Sequence, residues 1–261
     1  MDFLIFAAIF FTGLLLTILA TGALLPWLRH RAILDKPTER SSHSTPTLHG
    51  GGLAVVSVVI LLFIILSTNP LNWPVKNLSY TSPWLVLATI VLAAISWLDD
   101  LSGVSSQIRL VTHFAAVALV FFMEPGEKLI FQGIVPFWMD RILAVVLWVW
   151  FLNLFNFMDG IDGISSVETA SIGIGLILLA GAIGWKPIGQ IHATVLVGVG
   201  IGFLWWNWHP AKVFLGDVGS VPLGFLLGWL LLSLAADGYW LQALILPLYY
   251  LSDSTLTLVR R

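Results

Sequence analysis

Acidic residues at the ends of apolar segments are the groups of this sequence best suited to chemistry. Asp99 and Asp100 close one apolar run, and Asp217 stands between two glycines ahead of another. Carboxylates can hold a divalent metal ion, and a glycine turn at a helix start exposes backbone N–H groups that suit a phosphate. Each motif alone also fits a helix stop or cap, so a binding site and simple capping both stay open.

A stripe of polar residues gives a stronger signal. Asn153, Asn156, Asp159 and Asp162 recur at every third position, which predicts that they stack along one slowly drifting face of a helix end. Amides and carboxylates that enter a membrane are costly unless they line a polar cavity. A capping turn explains the aspartates but not the asparagines, so we expect this stripe to bind a ligand.

A polar, turn-rich loop over 35–52 ends in three glycines. Its cations, hydroxyls and glycines suit a loop that cradles a phosphorylated ligand. The candidate substrate-binding residues there are Arg40, His43, Gly50 and Gly51.

The remaining composition narrows the chemistry. The chain has no Cys, which excludes disulfides, thiolate catalysis and Cys-ligated metal clusters. His113 and His192 lie within apolar segments, and we expect them to be packing residues. The candidate residues include many carboxylates and few cations, so a metal ion is expected to supply the missing positive charge. Mg²⁺ is suited to this because it binds through one or two carboxylates plus substrate phosphates. The sequence therefore predicts phosphoryl chemistry at a membrane surface.

The elements that position these groups are membrane spans. Of the 261 residues, 58% are hydrophobic and 10% are charged, whereas soluble proteins carry roughly 25% charged residues. This composition excludes an ordinary soluble domain. Apolar segments predict nine spans, near 3–25, 53–67, 83–98, 110–123, 141–157, 167–184, 189–207, 219–236 and 240–258.

The basic residues orient these spans. If the cluster from Arg29 to Arg40 is cytoplasmic, the N-terminus is periplasmic and the C-terminus cytoplasmic. We therefore expect one all-α, polytopic membrane domain over 1–261 with its active site on the cytoplasmic face. A net charge of −2 without a basic run indicates no nucleic-acid partner.

Four strings together resemble a known family. They lie at 35–52, 99–100, 153–163 and 214–220, and in this order they resemble the polyprenyl-phosphate N-acetylhexosamine-1-phosphate transferases. The Arg-Ser-Ser-His string with the triple glycine is most similar to the O-antigen-initiating branch. The resemblance implies transfer of a sugar 1-phosphate from a UDP-N-acetylhexosamine to undecaprenyl phosphate. UMP is released, in a bacterial cytoplasmic (inner) membrane, for cell-wall or lipopolysaccharide synthesis.

Residue roles follow from the same resemblance. It makes Asp217 a direct ligand of Mg²⁺, with Mn²⁺ as the alternative ion. It places Asp99 at the lipid phosphate as the proposed base, and Asp100 beside it in support of the metal and the diphosphate. A phosphate monoester with a second pKa near 6 is largely dianionic at pH 7, so it hardly needs a strong base. The residues that shape the nucleotide and metal pocket are Asn156, Asp159, which is also a metal ligand, and Asp162.

Two departures from the family pattern and two alternatives accompany this interpretation. Leu48 and His49 stand where relatives often have Pro and Arg. Family members usually continue past position 261 into a His-rich loop, so we expect a chain truncated at its C-terminus. The alternatives are a polytopic transporter and a non-catalytic fragment that binds undecaprenyl phosphate. No motif indicates the sugar donor or the oligomeric state, for which a homodimer is one alternative.

Overall fold

The computed structural model describes residues 2–35, 37, 45–68, 81–123, 129–185 and 187–259. This part of the chain is helical apart from one short strand pair. The helices are α1 (Asp2–His30), α2 (Gly52–Thr68), α3 (Pro83–Ser102), α4 (Ser106–Met123), α5 (Phe137–Met158), α6 (Ile164–Ile183), α7 (Pro187–Asn207), α8 (Asp217–Ala236), α9 (Trp240–Ile245) and α10 (Leu248–Val259), and the strands are β1 (Leu34–Asp35) and β2 (Thr47–Leu48).

Seven of the described helices, α1 and α3 to α8, are long and apolar enough to cross a membrane. The helix α2 is apolar but has 17 residues, at the short end of what spans a hydrocarbon layer of about 30 Å. The prediction of a polytopic, helical membrane protein is confirmed. The orientation of its two ends stays a prediction.

The prediction of a ninth span over 240–258 is wrong. This segment forms two short helices, α9 and α10, which are separated at Leu246 and Pro247. Proline has no N–H to donate to the preceding turn, and its ring crowds that turn, so the helix stops there. Neither piece, of 6 and 12 residues, has the length of a span.

The helix α8 lies at the centre of the bundle. In its most apolar stretch 83% of the residues are buried, against 17% in α1, and it packs against α2, α3, α5 and α9. A helix that is apolar on all sides is expected to be enclosed in this way. Its N-terminus, at Asp217, is therefore surrounded by the ends of neighbouring helices.

The strand β2 lies between β1 and the loop before α8. The strands β1 and β2 are antiparallel, with Leu34 opposite Leu48. The N–H of Phe214 donates to the Leu48 carbonyl at 2.8 Å, and the N–H of Gly52 donates to the Leu215 carbonyl at 2.8 Å. The loop before α2 and the loop before α8 are thus joined by backbone hydrogen bonds from the end of β2 to the start of α2.

The first turns of α2 and α8 touch through their backbones. A Cβ placed on Gly52 would lie 2.3 Å from the Gly219 nitrogen and 2.4 Å from its Cα, which is closer than packed atoms approach. Only glycine allows this contact. The last glycine of the run at 50–52 therefore brings the start of α2 against the turn that carries Asp217.

Candidate active site

The candidate active site lies at one end of the bundle, where five segments of chain meet. These segments are the end of α3, the start of α4, the end of α5, the start of α8 and the residues that follow β2. The side chains that they bring together are His49, Asp99, Asp100, Arg109, Asn156, Asp159 and Asp217.

Arg109 connects two of the aspartates. Its Nη1 donates to Asp99 Oδ2 at 2.6 Å and to Asp217 Oδ2 at 3.3 Å. The other oxygen of Asp99 accepts a hydrogen bond of 2.6 Å from the N–H of Val104. Both oxygens of Asp99 are therefore engaged, whereas the Arg109 contact with Asp217 involves Oδ2 alone.

Asp100 caps the central helix. Its two carboxylate oxygens accept the N–H groups of Asp217 and Val218 at 3.1 and 3.0 Å. These are among the first N–H groups of α8, which have no partner within the helix, and a negative charge is favourable at this end of the helix dipole. Gly216 allows this approach, because a Cβ there would lie 2.9 Å from Asp100 Oδ2.

His49 completes the surroundings of Asp100. Its Nε2 lies 3.1 Å from Asp100 Oδ1. Burial opposes protonation of the ring, but the hydrogen bond to Asp100 and the charge of that carboxylate outweigh burial and raise the pKa of His49 above its ordinary value. Protonation of His49 therefore strengthens its contact with Asp100, and this contact supports the start of α8.

Asp159 follows the last residue of α5 and lies near Asp217. Its side chain accepts a hydrogen bond from Ser165. Burial, together with the charges of Asp217 and Asp100, raises the pKa of Asp159 to about 7. A cation bound beside Asp159 would offset the charges of Asp217 and Asp100.

The prediction that the polar residues from 153 to 162 share one helix face is wrong. The helix α5 ends at Met158, so only the two asparagines lie on it and the two aspartates lie in the following turn. Asp162 is turned toward the loop before α8, where it accepts the N–H of Ala211 at 3.0 Å and pairs with His209 at 2.9 Å. Its contacts are those of a residue that holds two loops together.

A polar cavity of about 360 Å³ opens beside these residues. It lies between α3, α4, α5 and α8, and its walls combine hydroxyl, amide, imidazole, guanidinium and carboxylate groups. The polar residues that line it are Ser96, Ser106, Arg109, His113, Asn153, Asn156 and Asp217. A charged substrate group would find both an arginine and a carboxylate in this cavity.

The donor set fits a magnesium ion that a substrate helps to hold. In the described part of the chain, no three His, Asp or Glu side chains are arranged to enclose a metal by themselves. Asp217 has one carboxylate oxygen outside the Arg109 contact, and Asp159 lies close enough for the charge of Asp217 to raise its pKa. One or two carboxylates completed by phosphate oxygens and water is the usual arrangement for Mg²⁺.

A family model described as glycosyl transferase family 4 matches residues 82–235, more than half of the chain. The chain belongs to glycosyl transferase family 4. A curated relative, the phospho-N-acetylmuramoyl-pentapeptide-transferase of Chlamydia pneumoniae, is 29% identical over 262 residues. That match covers 87% of this chain and 73% of the relative. The chain is accordingly a membrane-embedded phospho-sugar transferase of this family.

The family match contains nearly the whole site. Asp99, Asp100, Arg109, Asp159 and Asp217 all lie within residues 82–235. The segment that carries His49 lies before the matched region and reaches the site through its contacts with α8.

Four predicted substrate-binding residues stay predictions. Arg40 and His43 lie outside the described residues. Gly50 and Gly51 are packed instead against Trp97 and Phe203, where an added Cβ would lie 2.7 and 2.6 Å from ring atoms. These contacts give both glycines a structural reason to be present.

Sequence reasoning missed three residues of the site. In the sequence, Arg109 is one more positive charge near a helix start. His49 is a loop residue at a position where relatives often have a different one. His113, expected to be a packing residue, is 5% exposed and lines the cavity. The available signal was its spacing, since His113 follows Arg109 by four positions and so shares its helix face.

Proposed function

We propose that this chain transfers an N-acetylhexosamine 1-phosphate from a UDP-sugar to undecaprenyl phosphate, with release of UMP. The observation that carries the proposal is the contact of Arg109 with Asp217 at the mouth of a polar cavity, beside a second carboxylate, at the end of a membrane bundle. Membership of glycosyl transferase family 4 supports the reaction class. The name of the curated relative, a phospho-N-acetylmuramoyl-pentapeptide-transferase, supports transfer of a phosphorylated N-acetylated sugar. The polyprenyl acceptor, the cell-wall role and the bacterial inner membrane are part of the proposal and come from the resemblance of the four sequence strings.

The reaction exchanges one phosphate linkage for another. An oxygen of the lipid phosphate attacks the β-phosphorus of the UDP-sugar, the bond from that phosphorus to the bridging oxygen breaks, and UMP leaves with the bridging oxygen. A lipid phosphate with a second pKa near 6 is largely dianionic at pH 7 and attacks without a strong base. Catalysis of this kind depends on positioning and on stabilisation of negative charge.

Asp217 and Asp159 are the residues that would hold Mg²⁺. When bound, the ion neutralises charge on the diphosphate and helps to fix its orientation. Two contacts fix the position of Asp217 for metal binding. Arg109 binds one of its carboxylate oxygens, and the backbone N–H of Asp217 donates a hydrogen bond of 3.1 Å to Asp100.

Arg109 and Asp99 act as a unit. We assign to Arg109 the stabilisation of phosphate oxygens in the cavity, since its guanidinium is the cation that lines the described cavity wall. We assign to Asp99 the orientation of Arg109, because both oxygens of Asp99 are engaged by Arg109 and Val104. The base suggested for Asp99 is not needed by a dianionic lipid phosphate.

Asp100 acts through the position of Asp217. Both of its oxygens bind the start of α8, and His49 neutralises it. It is therefore a positioning residue for Asp217, in place of the metal and diphosphate contact that the family resemblance implies.

An assay of nucleotide release tests the proposed function. The purified chain in detergent is given a panel of UDP-N-acetylhexosamines with Mg²⁺, with and without undecaprenyl phosphate. We expect UMP only when both lipid and Mg²⁺ are present, and at least a hundredfold loss in Asp217→Asn. A matched control is Asp253→Asn, which alters an exposed aspartate of α10 and should leave the rate unchanged.

Two outcomes would replace the proposal. Binding of undecaprenyl phosphate without turnover would favour the non-catalytic alternative. Accumulation of a UDP-sugar in sealed vesicles without lipid-linked product would favour the transporter. The gathering of Asp99, Asp100, Asp159 and Asp217 at one end of the bundle supports the transferase, because a transporter is expected to hold its charged residues near the midplane.

A further inference from the structure

His113 is a residue of the cavity wall that the proposed reaction does not use. It lies on α4 one turn beyond Arg109, on the same face of the helix and farther from the end of the bundle. The residue is 5% exposed, and it lines the cavity together with Arg109 and Asn153. A polar ring at this depth is costly unless its nitrogen atoms find partners.

The partner of one ring nitrogen fixes the chemistry of the other. The amide Nδ2 of Asn153 donates to the Val149 carbonyl at 2.7 Å, which turns its Oδ1 toward His113 Nδ1 at 3.1 Å. An amide oxygen only accepts hydrogen bonds, so Nδ1 of the neutral ring carries the hydrogen. The ring nitrogen Nε2 is then a hydrogen-bond acceptor.

This acceptor has no partner among the described residues. The one hydrogen bond that they make with the ring is that of Nδ1 with Asn153. The ring is part of the cavity wall, so a donor for Nε2 can come from a molecule in the cavity. Such a donor would take the place of water at Nε2 and give the ring its second hydrogen bond.

We propose that His113 Nε2 accepts a hydrogen bond from an O–H or N–H group of the bound substrate, next to the reacting phosphates. The inference rests on the proposed function and deepens it. Two sources carry this chemistry: a hydroxyl or acetamido N–H of the donor sugar, and the P–OH of the monoanionic lipid phosphate, which is the minority form at pH 7. In either case His113 is a substrate-binding residue, and Asn153 positions it.

Two substitutions separate binding from packing. His113→Gln places an amide oxygen near the position of Nε2 and removes the donor to Asn153. His113→Asn retains a polar group near Nδ1 and removes the acceptor at Nε2. Both residues are smaller than histidine, so loss of ring packing affects the two variants alike.

The expected result is an asymmetry between the two variants. We expect His113→Asn to lower kcat/KM by about tenfold or more, which is the range for one lost buried hydrogen bond, and His113→Gln to restore most of that loss. The opposite order, with His113→Asn the more active, would show that the ring serves only to hold Asn153 and would overturn the proposal. Equal activity of both variants would also overturn it.

The two sources are distinguished by which substrate is affected. A raised KM for the UDP-sugar alone in His113→Asn assigns Nε2 to the sugar, and a raised KM for undecaprenyl phosphate alone assigns it to the lipid phosphate. Ligand protection gives a readout that does not need turnover. Each substrate is expected to raise the thermal unfolding midpoint of His113→Gln more than that of His113→Asn.

This second readout separates the two proposals. If the wild-type chain releases no UMP with any donor, the proposed function fails, and protection by the UDP-sugar or the lipid still tests His113. If the wild-type chain is active and the two variants do not differ in rate or in protection, the inference about His113 fails by itself.

Discussion

Arg109 and Asp217 are 108 positions apart in the chain, and a hydrogen bond of 3.3 Å joins the guanidinium Nη1 of one to the carboxylate Oδ2 of the other. This contact connects the start of α4 to the start of the central helix α8. The same nitrogen is 2.6 Å from Asp99. The guanidinium between the two carboxylates fixes the direction in which Asp217 presents its other oxygen.

The first prediction concerns this bridge. We expect Arg109→Gln to lower kcat/KM for UMP release by about a hundredfold, because the cavity loses its cation and Asp217 its partner. Arg109→Lys should lie between Arg109→Gln and wild type, since a lysine keeps the charge but lacks the planar fork of donors. Wild-type activity in Arg109→Gln would contradict the assignment.

The second prediction concerns magnesium and pH. Because burial and the charge of Asp217 raise the pKa of Asp159 to about 7, Mg²⁺ must displace a proton below that pH. We expect the apparent affinity for Mg²⁺ to fall by up to about tenfold per pH unit below pH 7 and to level off above it. The measurement is the shift in thermal unfolding midpoint caused by Mg²⁺ with the UDP-sugar at pH 6, 7 and 8.

The design of this measurement excludes the lipid. Undecaprenyl phosphate is left out because its own phosphate titrates near pH 6. Asp159→Asn is the control, and its weaker Mg²⁺ affinity should change less between pH 6 and pH 8 than that of the wild-type chain. Equal Mg²⁺ affinity of the wild-type chain at pH 6 and pH 8 would show that Asp159 is not a ligand.

The third prediction concerns stability and the ion pair of His49 with Asp100. The pKa of His49 is raised in the folded chain, so the folded state holds the proton more tightly than the unfolded state does. The resulting stabilisation is fully present below the unfolded pKa of about 6.5 and is lost as the pH rises through the higher folded pKa. We expect the unfolding midpoint of the wild-type chain relative to His49→Gln to be highest near pH 6 and to decline toward pH 8.

Glutamine is a suitable replacement at position 49. It retains an N–H donor for Asp100 and does not titrate. A difference between the two chains that stays constant with pH, or grows as the pH rises, would mean that His49 is not charged beside Asp100.

The fourth prediction concerns the contact of α2 with α8. Gly52→Ala would place a Cβ 2.3 Å from the Gly219 backbone nitrogen, so the two helices would have to separate. We expect the free energy of unfolding to fall by about 3 kcal/mol, and activity to fall with it because Asp217 lies one turn from the contact. Chemical denaturation in detergent measures the change.

A glycine of α6 serves as the matched control. Gly181 has nothing within 4 Å of an added Cβ, so Gly181→Ala should stabilise the helix by about 0.5–1 kcal/mol. A loss of stability at Gly181 as large as that at Gly52 would mean that the close approach is not the cause.

The bundle could be predicted because apolar runs report directly on contact with lipid. The break at Pro247 could not, since proline also occurs inside membrane helices whose neighbours satisfy the freed carbonyl groups. Spacing alone indicated that Asp99 and Asp100 point about 100° apart. Which of them meets Arg109 and which meets α8 depends on how α3 packs against helices elsewhere in the chain.

Part of the site could be predicted because its charged residues interrupt apolar runs. Carboxylates at span ends stand out in an apolar sequence, and Asp217 and Asp159 could be singled out on that basis. Arg109 could not, because positive charges near helix ends commonly reflect membrane orientation. His113 could be linked to the site only through Arg109, because the spacing of four places both on one helix face but does not show whether that face meets a cavity or a packed core.

The most direct test of the central claim follows the β-phosphorus of the sugar donor. The purified chain is incubated with undecaprenyl phosphate, Mg²⁺ and a UDP-N-acetylhexosamine that carries ³²P only at the β-position, and lipid and nucleotide products are separated. Transfer of a sugar 1-phosphate predicts that the label enters the lipid fraction while the released nucleotide is unlabelled UMP, and that Asp217→Asn does neither. Release of labelled UDP, with no label in the lipid, would contradict the account.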